Sequence, residues 1–195
     1  LQKDLAPDVK NQNIFKTFAD NTKKLEKSES DAYDAIWEST AGQTFDEIDG
    51  IVLGIAKKSK QSRARINKYL DDNGFPDIFK VNKRGELELK RSLTLEEGEI
   101  IKRAFMDAKT SAKNSGLKNK SKTMGEYENE IKEILDGISP ELQKTRQNWA
   151  IIKDAVDKYE IGKKVFGQNP EEFAVVFQRL VDAGAEDAIA ALRAG

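Results

Sequence analysis

From Leu142 onward the apolar residues fall at Leu142, Trp149, Ile152, Val156, Tyr159 and Phe166, in steps of three, four or seven. That spacing puts them all on one stripe of a long α-helix. A stripe this persistent restricts the chain to folds in which helices bury their apolar faces against one another. Gly167 closes the pattern. Asn169-Pro170-Glu171-Glu172 then opens a further helix, with acids at its positive end. Phe173, Val176, Phe177 and Leu180 form its core face, and Gly184 ends it.

The rest of the chain is compatible with the same architecture. At 195 residues it can build one sizeable core or two small ones. It is lean in apolar residues (38%) and rich in charge (34%), which suits thin helical layers better than a deep α/β core. With only 4 prolines, long helices are seldom interrupted. Amphipathic helices are predicted over 8–27 (Val9, Ile14, Phe15, Phe18, Leu25) and 28–40 (Tyr33, Ile36, Trp37), with Gly42 as the break. Thr44-Phe45-Asp46-Glu47 reads as a capping box for a helix carrying Phe45, Ile48, Val52 and Ile55. Gly50 and Gly54 lie four apart within it, where a neighbouring helix could approach closely. The next helix holds Ile66, Tyr69 and Leu70 and stops at Asn73-Gly74. The period then changes, and residues 77–90 read as a small β-hairpin turning at Asn82-Lys83-Arg84-Gly85. Thr94-Leu95-Glu96-Glu97 is a second capping box, opening a helix with Ile100, Ile101, Ala104, Phe105 and Ala108. Residues 113–125 read as a polar basic linker, followed by a helix around Tyr127, Ile131, Ile134, Leu135 and Ile138. Ser139-Pro140 starts the long striped helix, with Ser as N-cap.

The expected fold is therefore mainly α, a bundle of about eight helices with one hairpin. It divides into a helical region with the hairpin (1–92) and a second helical region (93–195). The start without Met or signal pattern, and an end inside a helical pattern, predict a segment of a longer polypeptide.

The chain contains no His and no Cys. Disulfides, thiolate catalysis and zinc–thiolate sites are thereby excluded, as are imidazole bases and ligands. Carboxylate pairs such as Glu96/Glu97 and Glu171/Glu172 sit in first helical turns, where capping explains them without acid–base chemistry. No phosphate-cradling glycine motif and no apolar run long enough to span a bilayer occurs. The sequence thus predicts a protein without catalytic residues, cofactor or metal. The net charge of −1 supplies no global field for nucleic acid, so any such contact would be local. Lys57, Lys58, Lys60, Arg63, Arg65 and Lys68 form a run without acids that suits phosphate contact. A second acid-free run is Lys109, Lys113, Lys118, Lys120 and Lys122. Trp37, Trp149 and Tyr159 are aromatic enough to anchor a partner. For Trp149 and Tyr159, the apolar stripe places them in a helix–helix seam instead.

The stretch from Thr94 to Gly195 resembles a helical region of very long tailed-bacteriophage proteins, the internal virion or ejection proteins, and of large polyvalent proteins of mobile elements. The resembling segments are Leu93-Thr94-Leu95 leading into Ile100-Ile101-Lys102-Arg103-Ala104, then Arg146-Gln147-Asn148-Trp149 and Tyr159-Glu160-Ile161-Gly162-Lys163-Lys164-Val165-Phe166. Asn169-Pro170-Glu171-Glu172-Phe173 follows, with Gly184 ahead of Ala188-Ile189-Ala190-Ala191-Leu192-Arg193. The resemblance implies a non-enzymatic structural segment of a virion protein, made in the bacterial cytoplasm and assembled with other virion proteins or copies of itself. The alternative is a nucleic-acid-binding module using the Lys57–Lys68 run.

Overall fold

The computed structural model describes the backbone of residues 7–166 and the side chains of residues 20 and 22–154. Its elements in order are α1 (Pro7–Ser39), α2 (Asp46–Lys58), α3 (Lys60–Asp72), β1 (Phe79–Val81), β2 (Leu87–Leu89), α4 (Leu95–Asn114), α5 (Lys118–Ile138) and α6 (Pro140–Phe166). The fold is mainly helical, with one two-stranded antiparallel sheet.

Among the described residues there are six helices, not the seven of the expected eight that fall there. The helices expected at 8–27 and 28–40 are one. No Gly or Pro lies between residues 8 and 39, so Ser28 and Ser30 do not interrupt it. The expected helix at 169–184 lies outside the described residues, as does Gly167. The basic linker expected at 113–125 is also corrected, because α5 is already helical from Lys118 and only residues 115–117 connect it to α4. The reason is local. Gly116 takes a positive φ of 71°. Its N–H and that of Leu117 reach back to the carbonyls of Lys113 (3.0 Å) and Ala112 (2.8 Å). This Schellman closure turns the chain within three residues. Ser121 Oγ then donates to the Lys109 carbonyl at 3.1 Å, fastening the first turn of α5 to α4.

The same closure ends α3, where Gly74 (φ 82°) and Phe75 donate to Asp71 and Leu70, each at 2.9 Å. The hairpin that follows pairs Phe79 with Leu89, Lys80 with Glu88 and Val81 with Leu87.

Residues Asp34–Lys144 form one compact unit. The expected boundary at 92/93 falls inside it, because α2 and α3 from one side pack with α4 and α5 from the other. Its core contains Ile48, Val52 and Ile55 of α2, Ile66 and Leu70 of α3, Ile101 and Phe105 of α4, and Ile131 and Leu135 of α5, all fully buried. Phe105 meets Tyr127 edge-on, with ring centroids 5.4 Å apart. The close approach expected at Gly50 and Gly54 is absent, since a Cβ at either would touch nothing within 4 Å. It occurs instead at Gly98, where a Cβ would meet Leu135 Cδ2 at 2.8 Å and Ile48 Cδ1 at 3.2 Å.

The second compact unit comprises residues 1–33 and 145–195. Within its described part, α6 carries the stripe past Thr145, which is buried. Trp149 is 38% exposed, so the expected helix–helix seam does not enclose it. Ile151, off the stripe on the same helix, is 61% exposed. The side chains of Val156, Tyr159 and Phe166 lie outside the described residues.

Candidate functional site

The best-organised polar region of Asp34–Lys144 lies where α2, the hairpin and the start of α4 meet. Phe45 is extended (φ −135°, ψ 114°), and its N–H donates to the Leu93 carbonyl at 3.1 Å. In return, the Leu93 N–H donates to Asp49 Oδ1 at 2.8 Å. This reciprocal clamp makes Phe45 the N-cap residue of α2, and it caps with no side-chain bond. The capping box expected at Thr44–Glu47 is therefore not formed. The first turn relies instead on Asp46, Glu47 and Asp49 against the helix dipole. The box at Thr94–Glu97 does form: the Glu97 N–H donates to Thr94 Oγ1 (3.3 Å), and Glu97 Oε2 accepts from the Thr94 N–H (3.0 Å).

Glu97 is fully buried, and its carboxylate is also gripped by the Arg91 guanidinium in a two-point pair, one contact being 2.8 Å. The bond from Glu97 holds the guanidinium pKa above its ordinary value, against the opposing effect of burial. One residue earlier, burial and then the neighbouring Glu97 charge push the Glu96 carboxyl above the usual range. Glu99, also buried, accepts from Lys102 Nζ at 2.6 Å and lies 3.5 Å from Arg103 Nε. Each of these two buried carboxylates is thus engaged by a cation. Such an arrangement holds charge in place; it does not present a free base.

The cations of the Lys57–Lys68 run, at the end of α2 and along α3, have different surroundings. Lys58 Nζ stands 5.8 Å from the Tyr127 ring centroid, against α5. Lys57 instead lines a shallow hollow with Leu53 of α2 and Glu86, Leu87 and Glu88 of the hairpin. Along α3, Ser62, Ile66 and Leu70 face the core. Arg63 and Arg65 are about 200° apart on that helix and flank its buried stripe on opposite sides. Lys68 pairs with Asp72 at 2.7 Å, a bond that raises its ammonium pKa. The second basic run is partly balanced too, by Lys109–Glu128 (3.0 Å) and Lys122–Glu126 (3.9 Å). Tyr69 donates to Asp107 Oδ2 at 2.9 Å, and burial followed by that bond raises its phenol pKa.

Sequence reasoning treated Asn82–Gly85 only as a turn, and the turn proves to be the most rigidly built polar element. Asn82 Oδ1 accepts from the backbone N–H groups of Arg84 (2.9 Å) and Glu86 (3.0 Å). Its Nδ2 donates to Glu86 Oε2 (3.0 Å) and Glu88 Oε1 (2.7 Å). Gly85 takes φ 80°, which L side chains rarely adopt. An Asn at the first position of a turn that ends in Gly was the available signal.

Elsewhere in this unit, Ile36, Phe45, Leu95 and Ile138 line a second open hollow with Gln43 and Glu141. Among the described residues no group of three or more acidic side chains is placed to hold a metal ion, and no helix is long and apolar enough to cross a membrane. No family model, curated protein or solved structure matches the chain.

Proposed function

We propose that the chain is a non-enzymatic structural component of a bacteriophage virion, of the internal or ejection type, acting through helix packing and protein–protein assembly. The observation that carries the assembly part is Trp149. A helix that places an indole on its apolar stripe and leaves it 38% exposed, with Ile151 61% exposed nearby, offers the kind of aromatic anchor that dominates protein interfaces. The partners are other virion proteins or copies of this chain. The virion assignment, with synthesis in the host cytoplasm, rests on the sequence resemblance of Thr94–Gly195. Mass spectrometry of purified, nuclease-treated particles made by the parent genome tests it. Peptides of this chain should co-purify with capsid and portal proteins, and their consistent absence from intact particles would sink the virion reading.

A further inference from the structure

We infer that the hairpin tip is a contact surface for the phosphate backbone of duplex nucleic acid. This surface is independent of the assembly reading, and it differs from the Lys57–Lys68 run. Lys83 and Arg84 occupy the two central positions of the turn and are both exposed. The Asn82 side chain fixes their backbone from within through its bonds to Arg84 and Glu86, so presenting these cations costs little further ordering. Neither cation has a carboxylate within ion-pair distance among the described residues.

The nearby acids are held by the turn itself, and the neutral Asn82 amide leaves their charges in place. Glu86 and Glu88 both accept from Asn82, and Glu88 also lies 3.8 Å from Lys80. Two consecutive cations at the tip of a narrow two-stranded ribbon match the groove of a duplex, which admits such a ribbon. Arginine and lysine there neutralise phosphates on either side. A flat acidic protein surface has no such need of a projecting, internally braced tip.

The test uses the full chain and a fluorescein-labelled mixed-sequence DNA duplex of about 20 bp, with anisotropy followed from roughly 50 to 200 mM salt. Lys83→Ala/Arg84→Ala keeps Asn82 and Gly85, so the turn stays intact. It should weaken binding about tenfold at low salt and flatten the slope of log K against log salt by about 2. Lys118→Ala/Lys120→Ala removes the same charge from another exposed site and should change either quantity far less. Glu86→Gln should tighten binding by removing a like charge beside the phosphates. The inference is overturned if the native chain does not bind the duplex, or if the two double variants lose affinity equally. It is also overturned, in favour of an acidic protein partner, if poly-glutamate competes as well as unlabelled duplex.

Discussion

Arg91 and Glu97 show how unequally the two ends of one ion pair can matter. Glu97 has no exposed surface, whereas the Arg91 side chain is 36% exposed. Removing the arginine strands a buried carboxylate, a loss of about 3–5 kcal/mol in comparable pairs. Removing the glutamate leaves a cation that water can reach, plus a lost cap worth about 1 kcal/mol. Arg91→Ala should therefore destabilise the chain more than Glu97→Ala in urea denaturation. The reverse order would mean that the capping box, and not the ion pair, dominates this corner. Asp77 provides a pH signature. Burial pushes its carboxyl up, but bonds from Lys90 (2.7 Å) and the Phe79 N–H (3.1 Å) outweigh burial, so the folded value lies below the ordinary one. In the window between the folded value and about 3.9, the unfolded chain then binds more protons. Stability from this group is present above the window and is lost as pH falls through the folded value. Asp77→Asn should flatten the acid limb of the Tm–pH curve. The effect should be at most about 1 kcal/mol, because both partners are about half exposed.

Between elements, the glycines decide how closely the helices approach. Gly50 and Gly54 face open space inside α2. Replacing either with Ala should stabilise the chain by about 0.5–1 kcal/mol, through helix propensity alone. Gly98→Ala gains the same propensity but drives a methyl into Leu135, which is fully buried and cannot swing away into solvent. Overpacking of about 1–3 kcal/mol should outweigh the gain. In a Leu135→Ala background the 2.8 Å contact is gone and the 3.2 Å approach to Ile48 Cδ1 remains, so Gly98→Ala should cost less than in the native chain; a thermal-denaturation cycle on the four proteins measures that coupling. Helix existence was legible from period at α2 to α6, with the start caps read correctly at α4 and α6, and the hairpin from its change of period. Two kinds of information were not. Ser115-Gly116 was a readable stop that the polar run around it disguised, so α5 was begun too late. Which glycine meets a neighbour depends on Leu135 and Ile48, residues far from Gly98 in the chain, and no local pattern reports that.

At the scale of the molecule, the two compact units differ in how far sequence could describe them. Within Asp34–Lys144 the apolar periodicity identified most of the helical core, because short helices turn one face inward and the face is written in the spacing, but it missed the buried Ile78, Leu93 and Leu95, which lie outside the stripes. The charged sites were less legible. A run of cations in sequence spreads around a helix, while Lys57 is brought beside Glu86 and Glu88 only by the packing of the hairpin on α2. Trp149 is the sharpest case. Its spacing says apolar stripe, which is true, but a stripe does not say what covers it. With the ring 38% exposed, Trp149→Ala should lower stability by less than the ~3–5 kcal/mol of an enclosed ring. If the residue anchors a partner, the same substitution should weaken association measured by sedimentation velocity, against copies of the chain or its co-purifying virion proteins, by a factor of about 30 or more (2 kcal/mol, the threshold of an interface anchor). A large fall in Tm with association unchanged would return Trp149 to the core and remove the main structural support for an assembly role.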